Sequence, residues 1–391
     1  MRTFNDAPFL VIWELTQACD LACVHCRACA IPTRNPLELS TEEGFHLLEM
    51  VRAFGDPLMV FTGGDPLKRP DLFQLLQKSV SLGLRTTITP SATDLLNQGA
   101  IERFQQSGVA RMAISLDGWD AASHDGFRRV EGSFDRTVSA LEYARRIGLS
   151  TQINTTMTRH NVGRIDQIAG LVRAFGARLW SVFFLVATGR ASASQDLTAE
   201  QYEEVFSFLY DLSNSAPFDI KTTEAQHYRR YVTQCRKAEG ASGQRMGMPA
   251  EVIQRQAGIN DGKGLAFISH TGEIYPSGFL PLSAGNVRRN SLPDIYRNSP
   301  LFRTLRQPDN LRGKCGDCEF RNLCGGSRSR SFALTGDYLA EDPKCVYQPG
   351  RTGRPRPAES ASVVMHDPSF VPAASIQLGH QAASDGHTPL I

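Results

Sequence analysis

The sequence lacks any long hydrophobic run and carries almost no net charge. No stretch of about 18 apolar residues, the length of a membrane-spanning helix, occurs in its 391 residues. Its 42 Lys and Arg residues nearly balance its 40 Asp and Glu residues, which excludes the basic composition typical of proteins that bind nucleic acids or anionic membranes. The first residues also lack the apolar segment of a signal peptide. We therefore expect a cytoplasmic protein that binds neither nucleic acid nor membrane.

Nine cysteines are present, and most of them lie at short spacings. Disulfides are rare in cytoplasmic proteins, where such spacings more often mark metal sites. The first group is Cys19, Cys23 and Cys26, in a loop that directly follows an apolar run. Three thiolates can hold three irons of a 4Fe–4S cube, whereas clusters normally have four thiolates. The fourth iron would then be open to an outside ligand.

Two other interpretations of this loop remain open. A structural zinc site closes with four nitrogen or sulfur ligands, and Cys29 would supply the fourth. Alternatively, the cluster ligands are Cys23, Cys26 and Cys29, with Cys19 left over.

A second group of cysteines lies near the C-terminus, with two members far from the other pair in sequence. Four such soft ligands can close either a tetrahedral zinc site or a complete 4Fe–4S cluster. Cys235 stands apart from both groups and is more typical of a buried, inert thiol. The members of the second group are Cys315, Cys318, Cys324 and Cys345.

Short apolar runs alternate with amphipathic stretches from residue 9 to about 215, as in α/β proteins built from repeated βα units. Six strands are predicted: Phe9–Leu15, Leu58–Phe61, Leu84–Thr89, Ala110–Leu116, Thr151–Thr156 and Leu179–Val186. Helices are predicted at Ser40–Phe54, Asp71–Leu82, Asp94–Gln106, Ser133–Ile147, Arg164–Phe175 and Thr198–Leu212. Six units favour a partial (β/α)6 barrel of the TIM type, although a flavodoxin-like sheet or a full eight-unit barrel also fits.

Two short motifs follow predicted strands, at the end where parallel barrels place their sites. In the first, Gly63 and Gly64 let the backbone approach a ligand closely, and Asp65 follows them. In the second, Ser115 and Asp117 are two residues apart and are expected on the same face of the strand. A helix N-cap is the alternative role for Asp117.

The Cys-x3-Cys-x2-Cys spacing, with the aromatic His25 before its last cysteine, resembles that of the radical S-adenosylmethionine (radical SAM) enzymes. This resemblance implies that the amino and carboxylate groups of SAM chelate the open iron. One electron from the cluster then cleaves the sulfonium, and the resulting 5′-deoxyadenosyl radical abstracts hydrogen from a substrate. The resemblance also implies the (β/α)6 barrel.

The same resemblance implies roles for the two motifs. The Gly63-Gly64-Asp65 segment would contact the SAM amino group, although Asp65 replaces the usual Glu. Ser115 and Asp117 would contact the ribose. Asn154 and Leu185 would lie near SAM, with ordinary strand residues as the alternative. Arg190 either pairs with a carboxylate of SAM or substrate or is a solvated surface residue.

The C-terminal cysteines resemble the auxiliary-cluster segment of the SPASM domain, a small iron–sulfur domain found in one subgroup of the family. A full SPASM domain holds two auxiliary clusters. Here the family's Gly-x4-Cys element ends in Ser277, and the cysteine expected four residues after Cys324 is Arg328. Only one auxiliary 4Fe–4S cluster can therefore be fully ligated. Such complete ligation suits electron relay rather than substrate binding.

These observations divide the chain into four parts. They are a radical SAM core barrel at 1–218, a connector at 219–264, a SPASM-like domain at 265–349 and a disordered tail at 350–391, where few periodic apolar residues occur. Within the connector, residues 224–230 either supply substrate-facing cations or form a solvated helix face.

The resemblance spans a branch with two kinds of enzyme, peptide-modifying enzymes and haem-pathway decarboxylases. We expect modification of a ribosomal peptide or protein side chain first. The alternative is radical oxidative decarboxylation of a tetrapyrrole or another carboxylate-bearing cofactor precursor. Either reaction needs a one-electron donor such as flavodoxin or ferredoxin. A non-enzymatic zinc-bearing scaffold is the third possibility.

Overall fold

A ten-stranded sheet forms the centre of the protein, seen in a computed structural model that describes residues 4–239 and 258–350. Its strands pair in the order β10-β9-β8-β1-β2-β3-β4-β5-β6-β7. The eight strands from β8 to β7 are parallel, and β9 and β10 extend one edge in antiparallel fashion. The strands are β1 Leu10–Glu14, β2 Leu58–Thr62, β3 Arg85–Ile88, β4 Arg111–Ser115, β5 Thr151–Met157, β6 Leu179–Phe184, β7 Asp219–Thr223, β8 Leu265–Ile268, β9 Glu273–Tyr275 and β10 Gly285–Asn286.

Helices follow most of the parallel strands. The first eight are α1 Thr41–Arg52, α2 Leu72–Ser81, α3 Gln98–Gln106, α4 Ala121–Arg128, α5 Ser133–Arg146, α6 Ile165–Ala174, α7 Ala199–Ser213 and α8 Tyr228–Ala238. Four short helices follow the sheet's last strand: α9 Leu292–Asn298, α10 Pro300–Leu305, α11 Gly313–Asp317 and α12 Arg328–Thr335. None of the helices in the described part of the chain combines the length and apolar character that a membrane crossing requires.

The two faces of the parallel strands differ, because one packs against the helices and the other faces the lumen of the partial barrel. In β6, Trp180, Val182 and Phe184 are fully or almost fully buried, and Phe184 packs on the rings of Tyr202 and Phe206 in α7. Because strand side chains alternate, the residues between them face the opposite side, the lumen of the partial barrel. The helices thus cover an apolar face, whereas the lumen face is mixed, with Ser181 and Phe183 in β6.

Local signals set the helix boundaries. Ser40 and Glu43 form the expected capping box at the start of α1. Five glycines that precede strands adopt positive φ, as helix C-caps do; they are Gly55, Gly83, Gly108, Gly148 and Gly176. The helix predicted from residue 94 begins instead at Gln98, because the Asn97 side chain accepts a hydrogen bond from Ala100 N and caps it there.

The predicted α/β class with a parallel sheet is confirmed, but the sheet is larger than six strands. Residues 219–223, in the segment predicted as a connector, form β7 and pair with β6. Beyond the connector, β8 and β9 pair antiparallel as a hairpin. The domain boundaries stay predictions, and residues 240–257 of the connector and 351–391 of the tail lie outside the described residues.

Candidate active site

A cavity of about 220 Å³ lies at the C-terminal ends of the parallel strands. It brings together residues that are far apart in sequence, from the cysteine loop after β1 to the end of β6. The predicted site residues in its wall are Cys19, Cys23, Cys26, Gly63, Gly64, Ser115, Asn154 and Leu185. Two predicted site residues, Asp65 and Asp117, do not line it.

Three cysteines of the loop face this cavity, and Cys29 does not. The sulfur of Cys19 accepts a hydrogen bond from Leu21 N at 3.4 Å, and that of Cys26 accepts one from Ala30 N at 3.4 Å. Burial raises the pKa of the Cys19 thiol to about 11, so the free thiol keeps its proton at neutral pH. A metal that replaces the proton would relieve this cost.

Arg190 fastens the cysteine loop to the end of β6. Its Nε donates to Cys23 O at 3.0 Å and its Nη1 to Ala30 O at 2.9 Å, while its backbone N donates to Cys26 O at 3.0 Å. These contacts hold Arg190 in the loop, so it is not a solvated surface residue. Its Nη2 is buried and has no hydrogen-bond partner among the described residues, so pairing with a carboxylate of SAM or substrate stays a prediction.

Gly63 and Gly64 permit β2 to end directly against the loop. A Cβ on Gly64 would stand 2.4 Å from Ala18 O, and one on Gly63 would stand 2.8 Å from Thr16 O. The close approach is held by Gly64 N, which donates to Thr16 O at 2.7 Å. Glycine is therefore required here by contact with the loop, and the backbone of both residues borders the cavity.

The Asp65 carboxylate does not line the cavity, and the predicted contact of this segment with the SAM amino group stays a prediction. The carboxylate is fully buried and accepts hydrogen bonds from Thr93 Oγ1 at 2.7 Å and Leu67 N at 3.2 Å. Burial raises its pKa. The carboxylate thus caps the short helical turn after β2 and connects it to the segment after β3.

Asp117 is likewise not a lining residue of the cavity, and the N-cap of α4 is Asp120 instead. The Asp117 carboxylate forms a buried ion pair with Arg128 and accepts Thr156 N at 2.6 Å. The positive charge of Arg128 holds its pKa below the usual range against the opposing effect of burial. Arg128 Nη1 in turn donates to Cys23 Sγ at 3.5 Å. The stretch from His124 to Arg128 also resembles the family, but no role for Arg128 was predicted from the sequence, because only the folded chain brings it to the loop.

Aromatic rings form a second wall beside the loop. His25 stacks on Phe127, with ring centroids 4.4 Å apart, and Phe127 stacks on His160 at 5.6 Å. Burial lowers the pKa of His25 to about 4, so its imidazole is neutral at pH 7. It presents a neutral aromatic face to the cavity rather than a charge.

The C-terminal cysteines surround a second, smaller cavity. Burial raises the pKa of each thiol, that of Cys345 to about 11. N–H groups again point at sulfur: Gly326 N donates to Cys324 at 3.3 Å and Asp342 N to Cys315 at 3.4 Å. The cysteines in its wall are Cys315, Cys318, Cys324 and Cys345. Within residues 4–239 and 258–350, no three His, Cys, Asp or Glu side chains are grouped to hold a single metal ion.

The donor chemistry of both cavities fits iron–sulfur clusters. Cysteine thiolates are the usual cluster ligands, and hydrogen bonds to their sulfurs tune the cluster potential. Each cavity has several thiols and backbone N–H groups directed at sulfur. These N–H groups suit thiolates better than neutral thiols.

The polypeptide itself fills the two positions where a full SPASM domain would supply further cysteines. Ser277 is buried and its hydroxyl lies 3.1 Å from that of Ser329. Arg328 is also buried, and its Nη1 donates to Ala340 O at 2.6 Å while its Nη2 lies 3.7 Å from Cys315 Sγ. This packing agrees with the expectation of a single auxiliary cluster.

Comparison with known proteins identifies two domains. The model of the radical SAM superfamily matches residues 13–172, and that of the SPASM iron–sulfur cluster-binding domain matches residues 260–319. In fold, the chain is similar to the crystal structure of Streptococcus suis SuiB bound to precursor peptide SuiA. The TM-score is 0.67 at 18% identity, over 88% of this chain and 76% of that one.

Curated relatives extend the likeness over nearly the whole chain. The AdoMet-dependent heme synthase of Oleidesulfovibrio alaskensis is 42% identical over 355 residues, 89% of this chain and 90% of the relative. The enzyme of the same name from Methanosarcina barkeri is 38% identical, over 90% and 100%. The PqqA peptide cyclase of Rhizobium meliloti is 27% identical, over 93% of both chains. The chain therefore belongs to the radical SAM superfamily, as an enzyme that uses SAM with a 4Fe–4S cluster and carries a SPASM iron–sulfur domain.

Proposed function

We propose that this enzyme makes haem by radical oxidative decarboxylation of an iron tetrapyrrole. The observation that carries the proposal is the 42% identity to an AdoMet-dependent heme synthase over about nine-tenths of both chains. The peptide cyclase shares only 27%. We therefore reverse the order of the two substrate hypotheses drawn from the sequence and place the carboxylate-bearing tetrapyrrole first.

The substrate follows from the chemistry of the product. Haem carries two propionates and two vinyl groups, and decarboxylation of a propionate with loss of one hydrogen leaves a vinyl group. The precursor is then the iron tetrapyrrole with four propionates, iron coproporphyrin III. For each vinyl group, a hydrogen atom leaves the carbon next to the ring, the bond to the carboxylate breaks and CO2 departs. The one remaining electron passes to the auxiliary 4Fe–4S cluster, so that the net oxidant is SAM, which is cleaved to methionine and 5′-deoxyadenosine.

The cysteine loop holds the catalytic cluster in this proposal, through Cys19, Cys23 and Cys26. When bound, the cluster and SAM supply the 5′-deoxyadenosyl radical that removes the hydrogen atom. The backbone of Gly63 and Gly64 binds the amino group of SAM beside the loop.

Three further residues of the cavity wall serve SAM or the adjoining substrate. Ser115 and Asn154 offer polar groups, and Asn154 is oriented by Gln152 Nε2, which donates to its Oδ1 at 2.7 Å. Leu185, with the rings of Phe183 and Phe279 in the same wall, excludes water from a radical that would otherwise be quenched.

Asp65 and Asp117 act as positioning residues rather than as ligands. Asp65 ties the turn after β2 to the segment after β3, and Asp117 holds Arg128 against Cys23. Both carboxylates therefore support the loop that carries the catalytic cluster.

The auxiliary cluster is bound by the four C-terminal cysteines in this proposal: Cys315, Cys318, Cys324 and Cys345. Four thiolates leave no iron open, so this site is suited to electron transfer. The enzyme works in the cytoplasm and receives electrons from a flavodoxin or ferredoxin. Turnover with the donor protein, compared with turnover in which dithionite replaces it, tests whether the enzyme depends on that donor.

Anaerobic turnover tests the proposed function. The reconstituted protein, SAM, dithionite and iron coproporphyrin III should yield haem, CO2 and two 5′-deoxyadenosine molecules per haem. The triple variant Cys19→Ala/Cys23→Ala/Cys26→Ala should keep the auxiliary cluster and form no 5′-deoxyadenosine, while Cys235→Ala should behave as wild type. Unchanged porphyrin, with 5′-deoxyadenosine formed only when a peptide is added, would restore the peptide hypothesis. Stoichiometric zinc without iron would instead favour the scaffold.

A further inference from the structure

Three cations lie close together at the gap between the two ends of the parallel sheet. Lys221 is on β7, at one end, and Lys263 directly precedes β8, near the other. Arg229, in the first turn of α8, interacts electrostatically with both. We call Lys221, Arg229 and Lys263 the lumen cations.

Lys221 points into the lumen of the partial barrel. It stands in register with Ser181 on β6, which stands in register with Asn154 on β5. Asn154 lines the cavity, as does Phe183, two residues beyond Ser181 on the same face. Lys221 also interacts with Arg111 on β4, three strands away, which is possible only across the lumen. The cation therefore lies on the lumen face, in register through Ser181 with Asn154 of the cavity wall.

Neither Lys221 nor Lys263 has an acidic partner among the described residues. Burial, followed by repulsion from Arg229 and Arg111, lowers the pKa of Lys221 to about 8. Burial and Arg229 likewise lower the pKa of Lys263. No carboxylate in the described ranges opposes these shifts. Arg111 is different, since Asp219 faces it.

Arg229 is partly committed to the neighbouring site. Burial lowers its pKa to about 10 against an opposing effect of Cys324, and its Nη1 donates to Leu323 O at 3.2 Å. A cluster bound by Cys324 would neutralise part of its charge. The two lysines do not contact the C-terminal cysteine site in this way. Substitutions of Lys221 and Lys263 therefore test the lumen cations more directly than a substitution of Arg229.

Buried cations without counterions are costly to a folded protein, and they are normally paired or bind an anion. Although burial dominates their electrostatics, none of the three residues is completely shielded from solvent, so an anionic ligand can reach them. We propose that the lumen cations bind carboxylates of the substrate and so anchor it on the lumen face of the partial barrel. A substrate with four propionates has the complementary charge. This inference rests on the proposed function and assigns the residues that recognise the substrate.

A binding titration with iron coproporphyrin III tests whether the lumen cations anchor the substrate. Binding is monitored by the Soret absorption of the porphyrin, without reductant. Lys221→Met and Lys263→Met should each raise the Kd about tenfold, the effect of losing one charge-assisted hydrogen bond. Lys221→Arg should restore most of the affinity. The matched control is Lys78→Met, which removes a lysine from the outer face of α2. Binding of the tetramethyl ester, which has no carboxylates, should be weak and the same in all variants.

A second measurement separates binding from misfolding. Loss of an unpaired buried cation does not lower stability, so Lys221→Met should unfold at or above the wild-type temperature and show its defect chiefly in KM. Wild-type Kd values in both lysine variants, with normal haem formation by wild type, would overturn the anchor alone. If the wild-type enzyme neither binds nor converts iron coproporphyrin III, the proposed function fails and the anchor fails with it.

Discussion

Asp117 and Arg128 form a buried ion pair beneath the cysteine loop, and Arg128 Nη1 also donates a hydrogen bond to Cys23 Sγ at 3.5 Å. The pair thus joins the end of β4, through α4, to Cys23, a proposed ligand of the catalytic cluster. The ion pair favours a role for Asp117 as a support of the cysteine loop, and its predicted contact with the ribose of SAM stays a prediction.

Substitution of Asp117 tests this support. Asp117→Asn should lower the free energy of unfolding by about 3 kcal/mol, because it leaves the Arg128 charge buried and unpaired. The exposed Asp94→Asn should change it little. Urea unfolding measures both. A variant of normal stability with a higher KM for SAM would return Asp117 to the role of a ligand.

Removal of single cysteines distinguishes the two cluster registers. Cys19→Ala should lose the catalytic cluster, because Cys19 faces the cavity, whereas Cys29→Ala should keep it. Iron content and the electron paramagnetic resonance spectrum of the reduced protein, with and without SAM, measure the outcome. Loss of the SAM-responsive signal in Cys29→Ala with its retention in Cys19→Ala would reverse the assignment.

Arg190 should control how firmly the loop holds its cluster. Arg190→Met removes the hydrogen bonds to Cys23 O and Ala30 O, each worth about 1 kcal/mol or more when the donor is charged. Iron should therefore leave the catalytic site at least several-fold faster in the presence of a chelator. Arg173→Met, on the exposed face of α6, is the control. Equal rates in the two variants would show that the loop does not depend on Arg190.

The pH dependence of stability should depend partly on Glu224. Burial, followed by the nearby Asp261 charge, raises its pKa from 4.5 to about 8. Between these values the folded protein keeps the proton and the unfolded chain releases it, so stability should fall as the pH rises from about 5 to 8. Glu224→Gln should flatten this slope, since its amide oxygen can still accept from Ser327 Oγ. The exposed Glu204→Gln should leave the slope intact; the same slope in both variants would be incompatible with this account.

Features with local causes were predictable from the sequence. The six strands with apolar runs, the capping box at Ser40 and the Gly63-Gly64 turn all depend on neighbours in the chain. β7 was missed because Ile220 is its sole apolar residue, and the lumen face it presents is polar. A period-two strand pattern cannot reveal a strand whose inner face bears Lys221.

Side-chain direction beyond a strand end was not predictable. β4 ends at Ser115, so the alternation that places Ser115 in the cavity no longer applies to Asp117. The contacts of Arg128 and Arg190 were not predictable either, because each residue contacts the cysteine loop from a distant part of the chain. Such contacts depend on the tertiary fold rather than on any local motif.

Transfer of deuterium tests the central claim most directly. Iron coproporphyrin III, deuterated at the propionate carbons next to the ring, is incubated anaerobically with the enzyme, SAM and dithionite. The account predicts haem together with 5′-deoxyadenosine that contains one substrate deuterium per molecule. Haem formed alongside unlabelled 5′-deoxyadenosine, or labelled porphyrin recovered unchanged while SAM is cleaved, would contradict it.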